Sequence, residues 1–500
     1  MQVQTFFEHY GLSENPFTAE EARDDPVFRR LLDQSTGHPD FDKVFGDPAH
    51  PRAGVVFGEK GSGKTALRLM IERRIERYNA ERTDQLAWIV RYDDLNPLID
   101  QLKQRNPKLS EDELLGSFQL NDHIDGILSR ATTRLIDNIV GTRSEDLRGK
   151  PKKTARRMPR QKRADLAVLA MIYDQPLNGN FSERFGRLRR VLRVGMMPWA
   201  GVMNWLGGLA LIAAAGMAIG LWLTKTNDLP SMLIVGAAAA AGVFLLSAGL
   251  VRMDKLWAME RRIRRHVPVV YRSTKQLRQA LGRVALEELN DRPIPLSQDE
   301  DSRYQLLARL IDILGEFDYA SMVVLVDRVD EPVSIAGSTQ RMRALVWPLL
   351  NNKFLQQDRV GVKLLLPVEL RHVLVRENAD FFQQARLDKQ HLIERLTWSG
   401  TLLYDLCSRR LRACQASGAD PISLQTLFAD DVTEQDVIDA LNQMHQPRDA
   451  FKFIYQLLLD HCAGISDDHP SYKIARLTLD HVRKTQSQRI SDLRQGIGPA

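Results

Sequence analysis

Ala53-Gly54-Val55-Val56-Phe57-Gly58-Glu59-Lys60-Gly61-Ser62-Gly63-Lys64-Thr65 joins a short apolar run to a glycine-rich loop. The apolar run has the composition of a buried strand. Beyond the loop, Leu67, Met70, Ile71, Ile75 and Tyr78 recur at helical spacing with arginine and glutamate between them, which predicts an amphipathic helix. Residues 58–65 match G-x-x-x-x-G-K-[ST] in full. Glycines let such a loop turn back with its N–H groups inward, forming an anion nest at a helix N-terminus. Gly58, Glu59, Lys60, Gly61, Ser62, Gly63, Lys64 and Thr65 are therefore the expected binding loop for a nucleoside triphosphate. Lys64 would place a point charge on the β- and γ-phosphates, and Thr65 would offer its hydroxyl to Mg²⁺.

Working outward, Leu86–Tyr92 reads as a second strand and ends in Asp93-Asp94. Leu306, Leu307, Leu310, Ile311 and Leu314 predict a helix over Arg303–Phe317. It is followed by the aliphatic strand Met322–Val326, and Gly361–Pro367 is a further buried strand. From about Trp398 the pattern is helical, most clearly over Val432–Met444, Arg448–Cys462 and Leu477–Leu493. The expected fold class is α/β: a parallel sheet with flanking helices and a helical C-terminal region that could close as a lid. Asp327, at the end of its strand, is where a Mg²⁺-organising carboxylate would project. Asp330 or Glu331 could then polarise an attacking water. Either could equally be a solvated turn residue, and the sequence does not choose between them.

Trp199–Leu223 and Ser231–Val251 contain no charged residue. At about 1.5 Å per residue each is long enough for a hydrocarbon core of roughly 30 Å. Thr224–Pro230 is the turn between them. Trp199, Trp205, Trp222 and Trp257 lie where amphipathic rings favour the interface. Gly216 and Gly220 form a small-xxx-small pair, and Gly236–Gly242 is almost all alanine between its ends, so these are the expected close-packing faces. The competing reading is a buried helical hairpin in a soluble core. Arg184, Arg187, Arg189, Arg190 and Arg193 precede the first span, and Arg252, Lys255, Arg261, Arg262, Arg264 and Arg265 follow the second. This charge bias predicts a two-span inner-membrane protein with both flanks cytoplasmic.

The chain has 500 residues, 44% hydrophobic and 26% charged, with a net charge of +6. Much of the basic excess flanks the spans, which weakens it as a sign of nucleic-acid binding. Residues 143–163 are dense in arginine and lysine against Glu145 and Asp146. This segment reads as a solvated, poorly ordered linker, as a surface for anionic headgroups, or, more weakly, as a nucleic-acid contact. Three scattered cysteines, Cys407, Cys414 and Cys462, predict no disulfide framework. The histidines form no zinc pattern, no Ser/His/Asp nucleophile signature is visible, and Met1–Phe17 lacks the apolar run of a signal peptide.

These features resemble the AAA+/STAND branch of P-loop ATPases. Gly58–Thr65 is the Walker A match, and Val323–Asp327 with Asp330-Glu331 is similar to a Walker B of the form hhhhDxxD[ER]. KAP-like members carry transmembrane helices between Walker A and Walker B, and both spans here lie between Lys64 and Asp327. The KAP acidic motif more usually reads D-D-L-D-R, from which Arg328-Val329-Asp330-Glu331 departs. Tyr10-Gly11-Leu12 with Asn15-Pro16-Phe17 resembles the segment beside adenine in bacterial ATPases near the origin-recognition group. Pro447-Arg448-Asp449 resembles their sensor 2, implying that Arg448 reaches the phosphates.

The resemblance implies ATP and Mg²⁺ as ligands, Lys64, Asp330 and Glu331 as catalytic groups, Thr65 and Asp327 as metal-organising groups, and homo-oligomers. Arg371, Arg376 and Arg395 are candidate arginine fingers, though each reads more readily as a surface residue. Signalling, stress or phage defence is the implied setting. Three functions follow: a membrane-anchored ATPase, a nucleotide-switched scaffold recruiting a protein partner, and a membrane-tethered nucleic-acid ATPase. The expected divisions are 1–50, 51–130 with Walker A, 131–198 as insertion, 199–251 as hairpin, 252–300 as return, 301–397 with Walker B, and 398–500.

Overall fold

The computed structural model describes the chain outside residues 34–37, 142–146, 177–179, 195–198, 226–228, 269, 284–291, 336, 377–390, 417, 419, 467 and 495–500. The chain forms two compact units. One comprises Met1–Asp94, Val323–Val346 and Leu350–Ala500; the other comprises Leu95–Met322 and Trp347–Leu349.

The sheet strands are β1 (Gly54–Gly58), β2 (Leu86–Tyr92), β3 (Tyr319–Val326), β4 (Val360–Pro367) and β5 (His391–Ile393), all in the first unit except the opening residues of β3 up to Met322. They form an all-parallel sheet in the order β2-β3-β4-β1-β5. Val55 of β1 stands opposite Leu364 on one side and Leu392 on the other. The strands are nearly continuous apolar runs because both faces of a parallel sheet are covered. Helix α1 (Lys64–Glu81) packs Leu67, Ile71 and Ile75 with Val56, Ala87, Ile89, Val323 and Leu365. Lys363, in the middle of β4, is buried. Its ammonium donates to the carbonyls of Val44, Phe45 and Arg52 at 2.6, 3.1 and 2.8 Å, tying that loop to the sheet.

A second core in the same unit joins the helices Gly400–Ala413, Glu434–Asn442, Pro447–Ala463 and Arg476–Arg494. The N-terminal residues are part of it: Phe6, Phe7, Leu12 and Phe17 pack with Leu411, Phe453 and Leu457. Arg410 fastens them. It donates to Pro16 O at 2.7 Å and to Asp25 at 2.6 Å, and its guanidinium lies 4.5 Å from the Phe451 ring centroid.

In the second unit, helices Leu120–Val140, Arg160–Tyr173, Phe181–Leu192 and Asp301–Leu314 pack on one another. Asp125 sits fully buried among them. It accepts from the Tyr173 hydroxyl at 2.7 Å and pairs with Arg303 at 3.2 Å. The basic region is not a poorly ordered linker over its described part. Pro151–Arg157 and Arg160–Tyr173 are helices, and Ala155 and Met158 are buried, so the apolar residues between the basic ones hold it in the bundle. Arg143, Glu145 and Asp146 lie outside the described residues.

The same unit carries a hairpin of α2 (Trp199–Thr224) and α3 (Leu229–His266), two helices long and apolar enough to cross a membrane. They are not core helices of a soluble bundle: Ile212, Trp222 and Phe244 are 75%, 79% and 69% exposed. The close approach uses Gly242, at the end of the expected alanine-rich run, but Gly207 rather than Gly216 or Gly220 on the other helix. A Cβ on Gly207 would stand 2.9 Å from Gly242 O, and one on Gly242 would stand 3.0 Å from Gly207 O. Gly216 and Gly220 have nothing within 4 Å of an added Cβ, so they face away from the partner helix, as does Gly236. Helix α3 does not stop at Val251 but continues through Arg252 to His266, where the Arg303 guanidinium caps its last carbonyl.

Candidate functional site

The loop after β1 must reverse direction within a few residues before α1 begins. Gly61 and Gly63 each adopt φ +93°, a left-handed conformation that costs an L side chain about 1–2 kcal/mol. A Cβ at Gly61 would also meet Gln446 Oε1 at 2.9 Å and Arg448 Cβ at 3.0 Å. The spacing of glycines thus reflects both a turn and a tight cradle. Lys64 opens α1, and its ammonium donates to the carbonyls of Gly58 and Glu59 at 2.8 and 2.9 Å. Burial lowers its pKa, opposed by the charges of Asp330, Asp327 and Glu369.

Two distant segments hold this loop. Trp398 Nε1 donates to Ser62 O at 2.8 Å. Arg395 and Gln446 both bond the Glu59 carboxylate. Arg448, in the first turn of Pro447–Ala463, donates its backbone N–H to Gly61 O at 3.5 Å, and its buried Nε has no hydrogen-bond partner. Glu59 is therefore engaged by side chains, whereas Lys60 is exposed.

A cavity of about 660 Å³ opens over the loop. Lys60, Gly61, Gly63, Lys64 and Thr65 line it from one side, Asp327, Asp330 and Glu331 from another, and Arg448 from a third. Strand β4 separates β1 from β3, yet the C-terminal ends of all three strands face one edge, so Asp327 still meets Thr65. The Thr65 hydroxyl is near enough to the Asp327 carboxylate to favour its ionised form. Asp327 is 1% exposed, and its Oδ2 has no hydrogen-bond partner. Burial raises its pKa, while the Arg68 charge is the largest effect pulling it back. Glu331 is exposed and paired with Arg328, whereas Asp330 is half-buried.

Among the described residues no cluster of three His, Cys, Asp or Glu side chains could cage a metal. Mg²⁺ needs no such cage, since it takes one or two protein oxygens and completes its shell with phosphates and water. The Thr65 hydroxyl beside an unpartnered, buried Asp327 oxygen fits that requirement.

Several residues at this site carried no sequence signal. Glu369 follows β4 and acts on Lys64. Trp398 and Gln446 reach the loop from hundreds of residues away. Arg68 and Glu72 of α1, 3% and 6% exposed, are buried where the amphipathic pattern puts charge on the outside. Tyr10, Leu12 and Phe17 do not line the cavity. Tyr10 donates to Tyr472 O and Thr426 O, and the wall is formed by the next segment, including Ala19, Arg23, Phe28 and Leu31. Of the three candidate fingers, Arg371 is paired with Glu394 and Arg395 with Glu59; the Arg376 side chain lies outside the described residues. In comparison with known proteins, no family model matches the chain and no curated protein resembles it significantly.

Proposed function

We propose that this chain is a P-loop ATPase of the AAA+/STAND type, similar to KAP-like ATPases, held in the inner membrane by the α2–α3 hairpin with its nucleotide site on the cytoplasmic side. One observation carries the reading. A glycine loop at a strand–helix junction, the Lys64 ammonium, the Thr65 hydroxyl and an unpartnered Asp327 oxygen all face one cavity.

In this reading the loop N–H groups and Lys64 bind the β- and γ-phosphates. Lys64 exchanges its two loop carbonyls for phosphate oxygens. Thr65 and Asp327 hold Mg²⁺, which would neutralise charge on the phosphates as the γ-phosphoryl group leaves. Asp330 is the acid suited to orient water and accept its proton. Glu331 is less suited, because Arg328 already holds it. Water attacks the γ-phosphorus, the bond to the β–γ bridging oxygen breaks, and ADP and phosphate depart. Arg448 supplies a further positive charge from the helical layer. The arginine-rich flanks of the hairpin favour the cytoplasmic side for both termini.

A second reading is a nucleotide-switched scaffold with negligible turnover. It is favoured by the clamp of Arg395 and Gln446 on Glu59, which ties the loop to two other segments and could report occupancy without hydrolysis. The test is ATP hydrolysis and Mg²⁺-dependent ATP binding by the nanodisc-held protein, with Lys64→Ala as control. Turnover lost in Lys64→Ala and in Asp330→Asn but retained in Glu331→Gln supports the ATPase. Binding without turnover supports the switch. Absence of both removes the nucleotide reading.

A further inference from the structure

Arg68 lies one helical turn beyond Lys64 and is 3% exposed. Its Nε stands 3.5 Å from Asp327 Oδ2, and neither atom has a hydrogen-bond partner. Its Nη1 lies 3.2 Å from Glu72 and 3.4 Å from Asp93. Glu72 is in turn paired with Arg91, and Asp93 with Arg23. Three guanidinium groups, Arg23, Arg68 and Arg91, thus face three carboxylates, Glu72, Asp93 and Asp327. A second cavity of about 500 Å³ borders Arg68, Glu72, Arg91 and Asp93, so the cluster has room to rearrange.

The geometry of the two partners differs. Toward Glu72 the arginine makes a hydrogen bond. Toward Asp327 it offers only a charge at ion-pair distance, leaving that oxygen's bonding capacity open. A buried carboxylate without a counter-charge is costly. A cation held nearby without a hydrogen bond relieves that cost and can be displaced by a stronger ligand.

We infer that Arg68 is a resident stand-in cation for Asp327, a positioning residue that holds this carboxylate until Mg²⁺ claims it and then turns to Glu72 and Asp93. The inference rests on the nucleotide reading above. Metal and guanidinium compete for the same oxygen, so Arg68 sets how much Mg²⁺ is needed to engage the site. Because Asp93 is shared with Arg23, which borders both cavities, the exchange also reaches the segment lining the nucleotide cavity.

The test is equilibrium binding of a fluorescent ATP analogue to the full-length protein in nanodiscs, titrated with Mg²⁺. Arg68→Met is expected to lower the half-saturating Mg²⁺ concentration about tenfold, since a charge at this range is removed from a poorly screened site, with affinity in the absence of Mg²⁺ within about twofold of wild type. Arg68→Lys, which keeps the charge, is expected to stay close to wild type. Glu72→Gln, which removes the competing partner and leaves Arg68 on Asp327, is expected to raise the midpoint about threefold. A midpoint unchanged or raised in Arg68→Met, or lowered in Glu72→Gln, overturns the inference. If Arg68→Met does not fold, the Glu72→Gln shift decides by its sign. A wild-type protein whose nucleotide binding ignores Mg²⁺ counts against the nucleotide reading instead.

Discussion

Replacing Asp25 by alanine should loosen one wall of the cavity over the glycine loop. Asp25 Oδ1 accepts from the backbone N–H groups of Val27 and Phe28 at 3.0 Å, and Oδ2 accepts from Arg410 at 2.6 Å. Both side chains of the ion pair are almost fully buried, at 4% and 2% exposure. Asp25→Ala leaves the Arg410 charge with only Pro16 O and the Phe451 face. Breaking a buried pair in this way costs about 3–5 kcal/mol, and losing the helix cap costs about 1 more. Arg410→Met should cost less, because Asp25 keeps its two backbone donors. The double variant should cost less than the sum of the singles by about 2 kcal/mol or more, since no lone charge is left. Amide hydrogen exchange over residues 19–31 measures this locally. Exchange in Asp25→Ala should speed up by about three to four and a half orders of magnitude where protection comes from local opening. An increase below about tenfold, or strict additivity in the double variant, would refute the argument.

Gly61→Ala should weaken ATP-analogue binding by about tenfold, because the left-handed loop and the Gln446 and Arg448 contacts leave no place for a Cβ; Gly46→Ala, with φ +65° and open space, should leave binding unchanged. In the hairpin, Gly207→Leu should destabilise the detergent-solubilised protein by about 1–3 kcal/mol in thermal unfolding, whereas Gly216→Leu should be tolerated. Burial, opposed by Arg303, pushes the Asp125 carboxyl up to about 7. A raised folded-state pKa contributes stability that is lost as pH rises from about 4 through 7, so the helical bundle should resist denaturant better at pH 5 than at pH 8, and Asp125→Asn should flatten that dependence.

Strands β1 to β4 are legible because each is an apolar run buried on both faces. β5 is not, since His391–Ile393 is too short to show a pattern. Leu120–Val140 escaped notice for a different reason: His123, Asp125, Thr132 and Asn138 are polar residues inside the bundle, and they break the apolar stripe that marks a helix. The glycine loop and Asp327 could be read because their residue types are demanded at fixed spacing. The side chains that hold the loop could not, because Arg395, Trp398 and Gln446 meet it only through the fold. The Gly216/Gly220 spacing misled because spacing does not say which way a face points, and Gly207 with Gly242 makes the crossing instead.

Helix α3 has no glycine or proline between Val251 and His266, and at about 1.5 Å per residue its 38 residues extend to about 57 Å, roughly twice a hydrocarbon core. Its last carbonyl is held by Arg303, and Glu260 is buried between Arg264 and Arg278. Such a helix works as a stiff lever arm with no glycine or proline joint between Val251 and His266. Tilting its C-terminal end by about 10° would displace the far end by about 10 Å, so a repacking of the bundle around Asp125 and Arg303 would arrive at the Leu229 end as a change of slope rather than be absorbed by a hinge.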